Sequence, residues 1–229
     1  FYAQSGGVTA VINASACAVI ETARAHPDRI GKVLAGRDGI IGALTEDLID
    51  TSLESAANIA RLRHTPGGAF GSCRYKLKSL EQSRREFERL IEVFRAHDIG
   101  YFFYNGGNDS MDTCSKISSY LALHNYECRV MGIPKTIDND LACTDHCPGY
   151  GSAAKYIATT LMEVGRDAKV YDTGSITVVE IMGRNAGWLT AASALARLQD
   201  KDSGPDLIYL PEVPFDMADF LTDVSRVYN

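Results

Sequence analysis

Short apolar runs and longer helical patterns alternate along most of this chain, and this alternation constrains its fold more than any other feature. The apolar runs lie at residues 1–4, 32–35, 100–104, 129–133, 175–181 and 207–210. Helical patterns lie at residues 11–25, 80–97, 110–123, 152–165 and 186–198. A helix between two strands carries the chain back across the sheet, so that the strands pair in parallel. The sequence therefore predicts an α/β fold with a parallel sheet covered on both faces.

The second long helix has the clearest pattern. Four apolar residues follow the helical spacing i, i+3, i+4 and i+7: Phe87, Leu90, Ile91 and Phe94. Ser79 and Gln82 form a capping-box pattern ahead of them. We expect these four side chains to form a buried face, with no role beyond core packing.

Glycine-rich or charged clusters follow five of the predicted strands. They lie at residues 5–7, 36–39, 106–107, 135–140 and 183–184. In open parallel sheets, ligands bind beyond the carboxyl ends of the strands, where the loops gather. The repeated placement of these clusters predicts a single crevice at that edge of the sheet.

The chemistry of two of these clusters is typical of phosphoryl transfer. Gly106 and Gly107 let backbone N–H groups approach a phosphate, and a helix starting at Asp109 or Ser110 directs its positive end there. The next cluster supplies Lys135 with the carboxylates of Asp138 and Asp140. Two acids this close are costly unless they share a cation or a proton relay, although a helix cap and a solvated loop acid would also explain them.

Charge and composition exclude several classes of partner. The net charge is −6 and no run of Lys or Arg is present, which argues against a nucleic acid or an acidic membrane. No apolar stretch approaches the roughly 20 residues that would cross a bilayer. Six irregularly spaced cysteines indicate reduced, mostly structural thiols. We expect a cytoplasmic protein, and since the chain begins within a strand pattern and stops within a helical one, we expect it to be truncated at both ends.

Seven motifs together carry a family resemblance. They are Gly6-Gly7 with Asn13, Gly71-Ser72-Cys73-Arg74, residues 106–110, residues 134–140, Gly149-Tyr150-Gly151, Met182-Gly183-Arg184 and Pro211-Glu212. In order and approximate spacing, the chain resembles the phosphofructokinase family through nearly its whole length. The resemblance implies a three-layer parallel-sheet sandwich with a phosphoryl-donor domain followed by the start of a fructose-6-phosphate-binding domain. A Pro-Gly turn near residues 147–149 places the junction, which gives domains at residues 1–148 and 149–229. The implied reaction moves a phosphoryl group to the 1-hydroxyl of fructose 6-phosphate.

The resemblance also implies catalytic roles. Asp138 resembles the base that accepts the proton of the sugar hydroxyl, and Asp140 would keep the loop and the metal in place. Arg74 and Arg184 resemble the arginines that meet the moving phosphoryl group, and Thr136 would hydrogen-bond to it.

The acceptor site is implied in the same way. Met182 and Gly183 resemble the loop that binds fructose 6-phosphate, and Glu212 resembles the acid that binds sugar hydroxyls. Thr136, Asp138, Asp140 and Arg184 complete this set. Plain packing is the alternative for Met182.

Two positions indicate which donor is used. Where the ATP-using pattern has glycine, this chain has Asp109 in the glycine loop and Lys135 before Thr136, and the pyrophosphate-using members resemble it at both places. Asp109 would occupy space used by a nucleotide and repel its α-phosphate, and Lys135 would hold the departing phosphate. Gly7, Gly107 and Ser110 complete the implied donor site. Our interpretation is pyrophosphate with Mg²⁺; the alternative for Asp109 alone is a helix N-cap.

The metal ligands follow with one departure from the family pattern. Asn108 lies where many relatives have an acidic metal contact, so Mg²⁺ would depend on Asp109, on Asp138 and Asp140, or on the pyrophosphate oxygens. The candidate ligands are Asn108, Asp109 and Asp138, and the choice between Asn108 and Asp109 stays open. Family members usually form homodimers or homotetramers, and we expect the same here.

Other functions stay open at this point. One is an ATP-dependent phosphofructokinase, and another is a regulatory subunit that kept the fold and lost turnover. NAD or lipid kinases share a similar glycine loop but are not expected to combine it with residues 136–140 and 182–184. A Rossmann oxidoreductase is disfavoured because Gly6-Gly7 lacks the third spaced glycine.

Overall fold

The computed structural model describes residues 1–198, 202 and 204–229, and it divides the chain into two units, Phe1–Thr136 and Ile137–Asn229. This division lies ahead of the expected junction between residues 148 and 149. The assignment of donor and acceptor domains on either side of that junction stays a prediction.

The first unit holds a five-stranded sheet with helices. In chain order its elements are β1 (Tyr2–Gln4), α1 (Ile12–Arg24), β2 (Leu34–Gly36), α2 (Ile40–Thr45), β3 (Leu48–Asp50), α3 (Ala56–Arg61), α4 (Arg84–Ala96), β4 (Tyr101–Gly106), α5 (Asn108–Leu123) and β5 (Arg129–Pro134). The strand order is β3-β2-β1-β4-β5.

Four of these strands are parallel, as the sequence predicts, and the fifth is not. β1 pairs in parallel with β2 and β4, and β4 pairs in parallel with β5. β3 runs antiparallel to β2 at the edge. It was not predicted, because three residues of intermediate exposure are too short to show a periodicity.

The two faces of the sheet bury separate cores. Phe102 and Tyr104 pack in one cluster with α4 and α5, while Tyr2 and Ala35 pack in the other with α1 and α3. Successive residues of a strand point to opposite faces, so one apolar strand supplies both clusters. The predicted α/β class, with helices on both faces of the sheet, is confirmed.

The predicted apolar face of α4 is also confirmed, since Phe87, Leu90, Ile91 and Phe94 are all buried. The helix begins at Arg84, later than the pattern indicated. Ahead of it, the Gln82 N–H donates to Ser79 Oγ at 3.3 Å, and the Lys78 N–H donates to Ser83 Oγ at 3.1 Å. The polar residues before the helix therefore order a turn that leads into it.

The second unit contains α6 (Tyr150–Ala168), α7 (Trp188–Ala192) and α8 (Met217–Tyr228). The predicted helix at 186–198 is α7 followed by a 3₁₀ helix, Ser193–Leu198. None of the described residues of this unit forms a strand, so the strands predicted at 175–181 and 207–210 are wrong for this chain. A strand requires a partner backbone, and here the apolar run stays exposed, with Val178 76% accessible.

Within the part of the chain that the structure describes, every helix is too short or too polar to cross a bilayer.

Candidate active site

The carboxyl end of β1 meets a segment that we call the cationic segment, residues 72–78. The Gly6 N–H donates to the Cys73 carbonyl at 2.9 Å, and Ser72 Oγ donates to the Gly6 carbonyl at 2.6 Å. Ser5 and Cys73 form an isolated parallel bridge. Backbone pairing with the end of β1 therefore fixes the position of this segment.

The glycine loop after β4 is shaped by two different requirements. A Cβ at Gly106 would overlap with both Oγ and Cβ of the buried Ser110, so only glycine fits there. A Cβ at Gly107 would meet only the Lys135 carbonyl oxygen, at 3.7 Å. Gly107 thus leaves open space ahead of the 16-residue helix α5, whose N-terminus favours an anion.

The N-cap interpretation of Asp109 is wrong. Helix α5 begins at Asn108, and its N-cap is Gly107. Asp109 lies in the first turn, where its Oδ1 accepts a hydrogen bond from Lys76 Nζ at 2.7 Å. That hydrogen bond raises the pKa of Lys76. The carboxylate that was predicted to select the donor is therefore held by a lysine of the cationic segment.

Lys135 joins the two glycine loops. Its backbone N–H donates to the Gly106 carbonyl at 3.0 Å, and its Nζ donates to the Gly7 carbonyl at 2.6 Å. The side chain is buried, and this burial, followed by the nearby charge of Arg74, lowers its pKa. An ammonium that has lost most of its water is well suited to bind an anion, because it gives up little hydration in doing so.

Arg74 lies on the same side as Lys135. Its guanidinium is 3.5 Å from the position that a Cβ on Gly7 would occupy, and the residue is exposed. Thr136 follows Lys135 and is partly buried. The first unit thus brings together the predicted donor residues Gly7, Arg74, Gly107, Asp109, Ser110 and Lys135. Three cations, Arg74, Lys76 and Lys135, lie near the N-terminus of α5.

Sequence reasoning missed Lys76. A signal for it exists, since residues 73–78 alternate between apolar or aromatic side chains and cations. In the structure Cys73 and Leu77 are buried, while Arg74 and Lys76 are exposed. The period of two places both cations on one side of the segment.

A buried network of polar side chains lies at the ends of β1 and β4, next to the two glycine loops. The Tyr2 hydroxyl accepts from Gln4 Nε2 at 3.1 Å and from Asn105 Nδ2 at 3.0 Å. Burial raises the pKa of Tyr2 to about 12, so its hydroxyl stays neutral. The amide of Asn105 also donates to the Ile12 carbonyl at 3.3 Å, which ties the end of β4 to α1.

The second unit holds the acidic residues. Asp138 is partly buried, and burial is the main cause that raises its pKa; the neighbouring Asp140 raises it further, while Arg184 opposes both. The sequence-predicted trio is therefore close enough to interact electrostatically. A carboxyl with a raised pKa is better matched to accept a proton near neutral pH.

Asn139, between the two acids, was not selected from the sequence. It is buried and adopts a left-handed conformation with φ 58°. Its Oδ1 accepts from the Cys147 N–H at 2.7 Å, and its Nδ2 donates to the Asp145 carbonyl at 3.2 Å. Asn is among the few residues that tolerate this conformation, and this preference was the available signal. Asn139 fixes the loop that carries Asp138 and Asp140.

The predicted acceptor residues are organised around a turn before α7. The Glu212 carboxylate accepts the Gly187 N–H at 2.7 Å. Gly183 has φ 139°, and a Cβ there would collide with the Ala186 carbonyl. Met182 is 65% exposed, so it is not a core residue of this unit. Arg184 is exposed as well, but the strand expected to lead into residues 183–184 is absent from the described residues of this unit.

The residues expected to bind a metal do not form a complete set of protein ligands. Among the described residues, no group of three or more His, Cys, Asp or Glu side chains could hold an ion. Mg²⁺ commonly uses one or two carboxylates together with substrate phosphates and water. The pair Asp138 and Asp140 fits that mode, since the charge of Asp140 raises the pKa of Asp138 and a bound cation would offset that repulsion.

Comparison with known proteins identifies the family. The phosphofructokinase profile matches residues 1–229. Two relatives, from Methylococcus capsulatus and Halomonas elongata, are both named pyrophosphate–fructose 6-phosphate 1-phosphotransferase. They are 62% and 61% identical to this chain over 228 residues, covering 99% of it. The chain spans 54% of the length of each of these relatives.

A solved structure is also similar to this chain in sequence and in fold. The pyrophosphate-dependent phosphofructokinase from Nitrosospira multiformis is 56% identical, with a TM-score of 0.89 over 99% of this chain and 56% of that one. The fold, the ordered motifs and the match over all 229 residues lead to one conclusion. This chain belongs to the phosphofructokinase family.

Proposed function

We propose that this chain provides the donor site and part of the acceptor site of an enzyme that transfers a phosphoryl group from pyrophosphate to the 1-hydroxyl of fructose 6-phosphate. The names of the most similar relatives support this reaction. The observation that carries the proposal is the cation cluster at the N-terminus of α5, where Lys135 is buried beside Gly7 and Asp109 is held by Lys76.

The donor side binds by charge and by backbone geometry. Pyrophosphate carries several negative charges on a small volume, and Arg74, Lys135 and the end of α5 offer complementary positive charge. Lys135 stabilises the departing phosphate, whose negative charge grows as the bridging P–O bond breaks. A nucleotide would need room beside the first turn of α5, where Asp109 now stands.

The acidic loop that carries Asp138 removes the proton of the sugar hydroxyl. Oxygen 1 of fructose 6-phosphate forms the new O–P bond, the bridging P–O bond of pyrophosphate breaks, and inorganic phosphate leaves. Asp138 accepts the hydroxyl proton, and Arg184 stabilises charge on the equatorial oxygens of the moving group. Thr136 donates a hydrogen bond to the same group. Met182, Gly183 and Glu212 bind the sugar.

Mg²⁺ is proposed as the cofactor. Asp138 and Asp140, with Asn108 as a further oxygen ligand, would hold it together with the donor oxygens. We do not assign Asp109 to the metal, because its Oδ1 accepts a hydrogen bond from Lys76. When bound, it supplies charge neutralisation for the phosphates. We also propose a homo-oligomer in the cytoplasm, by analogy with the family.

An ATP-dependent phosphofructokinase is the second candidate, and a regulatory subunit without turnover is the third. The buried Lys135 and the charged Asp109 at the donor end favour pyrophosphate over ATP. The raised pKa of Asp138 favours a working base over a regulatory remnant.

A coupled assay on the full-length protein tests the reaction. Fructose 6-phosphate and Mg²⁺ are supplied with either pyrophosphate or ATP, and formation of fructose 1,6-bisphosphate is followed. We expect turnover with pyrophosphate and little with ATP. Faster turnover with ATP would overturn the donor assignment, and absence of turnover with both would favour the regulatory subunit.

A paired substitution tests the reason for the choice of donor. Asp109→Gly combined with Lys135→Gly should lower use of pyrophosphate and raise use of ATP. If pyrophosphate use stays intact and ATP use does not rise, neither residue determines the donor.

A further inference from the structure

The proposed donor site contains an electrostatic conflict at Asp109. This residue places a carboxylate in the first turn of α5, beside the open space at Gly107. A carboxylate there excludes a nucleotide by volume and charge, but an unpaired one would also repel pyrophosphate. A pyrophosphate site that keeps the Asp109 side chain therefore needs a nearby positive charge to offset its negative charge.

Lys76 meets this requirement. Its Nζ lies 2.7 Å from Asp109 Oδ1, and its backbone belongs to the cationic segment that pairs with the end of β1. The segment is also held from α5, because Lys116 Nζ donates to the Leu77 carbonyl at 3.4 Å. Lys116 itself pairs with Asp112 at 2.6 Å, so the next acid of α5 is separately neutralised.

We propose that Lys76 is a positioning residue for donor selection: by pairing with Asp109, it fixes that carboxylate in the space of a nucleotide and offsets its repulsion of pyrophosphate. This inference rests on the proposed function and adds to it a residue that acts through Asp109. The side chains of both residues are exposed, 59% for Lys76 and 75% for Asp109. An exposed pair contributes little to folding stability, so breaking it should leave the thermal midpoint nearly unchanged.

The test is a double-mutant cycle in the full-length protein. The variants are Lys76→Met, Asp109→Asn, the two combined, and Lys76→Arg. Lys78→Met is the matched control, since Lys78 is an exposed lysine of the same segment. The measurements are KM and kcat with pyrophosphate, the same constants with ATP, and the thermal midpoint.

Lys76→Met should raise the KM for pyrophosphate about three- to tenfold, with kcat within about twofold of the unsubstituted protein, because the unpaired Asp109 now repels the donor. The difference should shrink at high salt. Asp109→Asn in that background should return the KM to about the value of Asp109→Asn alone. Lys76→Arg should keep the original KM, and Lys78→Met should change nothing.

Two outcomes would overturn this inference while leaving the proposed function intact. In one, Lys76→Met and Lys78→Met have the same KM for pyrophosphate. In the other, Lys76→Met stays impaired when Asp109→Asn is added, which means that Lys76 contacts the donor directly. If the unsubstituted protein does not use pyrophosphate at all, the proposed function fails and this inference fails with it.

Discussion

The two units hold their charged residues in different ways. In the first unit, Lys135 follows β5 directly and Arg74 lies on a segment paired to the end of β1. In the second unit, Asp138 and Asp140 lie on a loop whose conformation depends on the buried Asn139. The cations are positioned by backbone pairing next to strands, and the acids are positioned by a side chain. We therefore expect substitutions near the cations to affect donor binding more than turnover, and those near the acids to affect turnover more than donor binding.

The largest expected effect separates turnover from binding at Asp138. Asp138→Asn should lower kcat by about 10²- to 10⁴-fold, because the hydroxyl proton loses its acceptor, while the folded state is kept. Steady-state kinetics with pyrophosphate measure this. Asp145→Asn, an exposed acid of the same loop, serves as the control. Near-full activity of Asp138→Asn would remove Asp138 from the role of base.

The next expected effect concerns folding at the cationic end. Gly106→Ala should destabilise the protein by about 1–3 kcal/mol, since the new methyl group overlaps with the buried Ser110. Gly107→Ala is the matched control, because its methyl group would have ordinary contacts only. Urea unfolding of both variants compares them. Equal stability of the two would show that the loop adjusts freely and is not fixed by β4.

Asn139 tests whether one side chain organises the acidic loop. Asn139→Ala should cost about 1–2 kcal/mol, because two hydrogen bonds are lost and alanine is strained at positive φ. Asn139→Gly loses the same hydrogen bonds without the strain, so its unfolding free energy should fall less. Both should lower kcat more than they change the KM for pyrophosphate. A rise in that KM at unchanged kcat would contradict the division of roles between the units.

The smallest expected effect is a shift in pH dependence. Asp138 must be deprotonated to act as a base, so activity should fall as the pH drops through its raised pKa. Asp140→Asn removes a like charge and should lower the pKa of Asp138, which moves the acidic limb of kcat to lower pH. The pH profile of kcat measures this shift. A limb that moves to higher pH would mean that Asp140 does not raise the pKa of Asp138.

Much of the first unit could be predicted because its signals are local. The end of β4, the two glycines and the start of α5 occupy consecutive residues, and α4 carries a complete apolar period. The pairing of Lys76 with Asp109 joins residues 33 positions apart, and no periodicity reports such a contact. The apolar run at 175–181 fails for a related reason, since its pattern is that of a strand but pairing depends on a distant partner.

The single bridge between Ser5 and Cys73 has a consequence for how this segment can change. Arg74 and Lys76 face the same way because they are two residues apart on an extended backbone whose register is set at Cys73. A one-residue insertion just after Cys73 would turn both cations toward the core and expose Leu77 instead. Insertions there should therefore be tolerated only in even numbers, because an even number returns Arg74 and Lys76 to the exposed side of the segment.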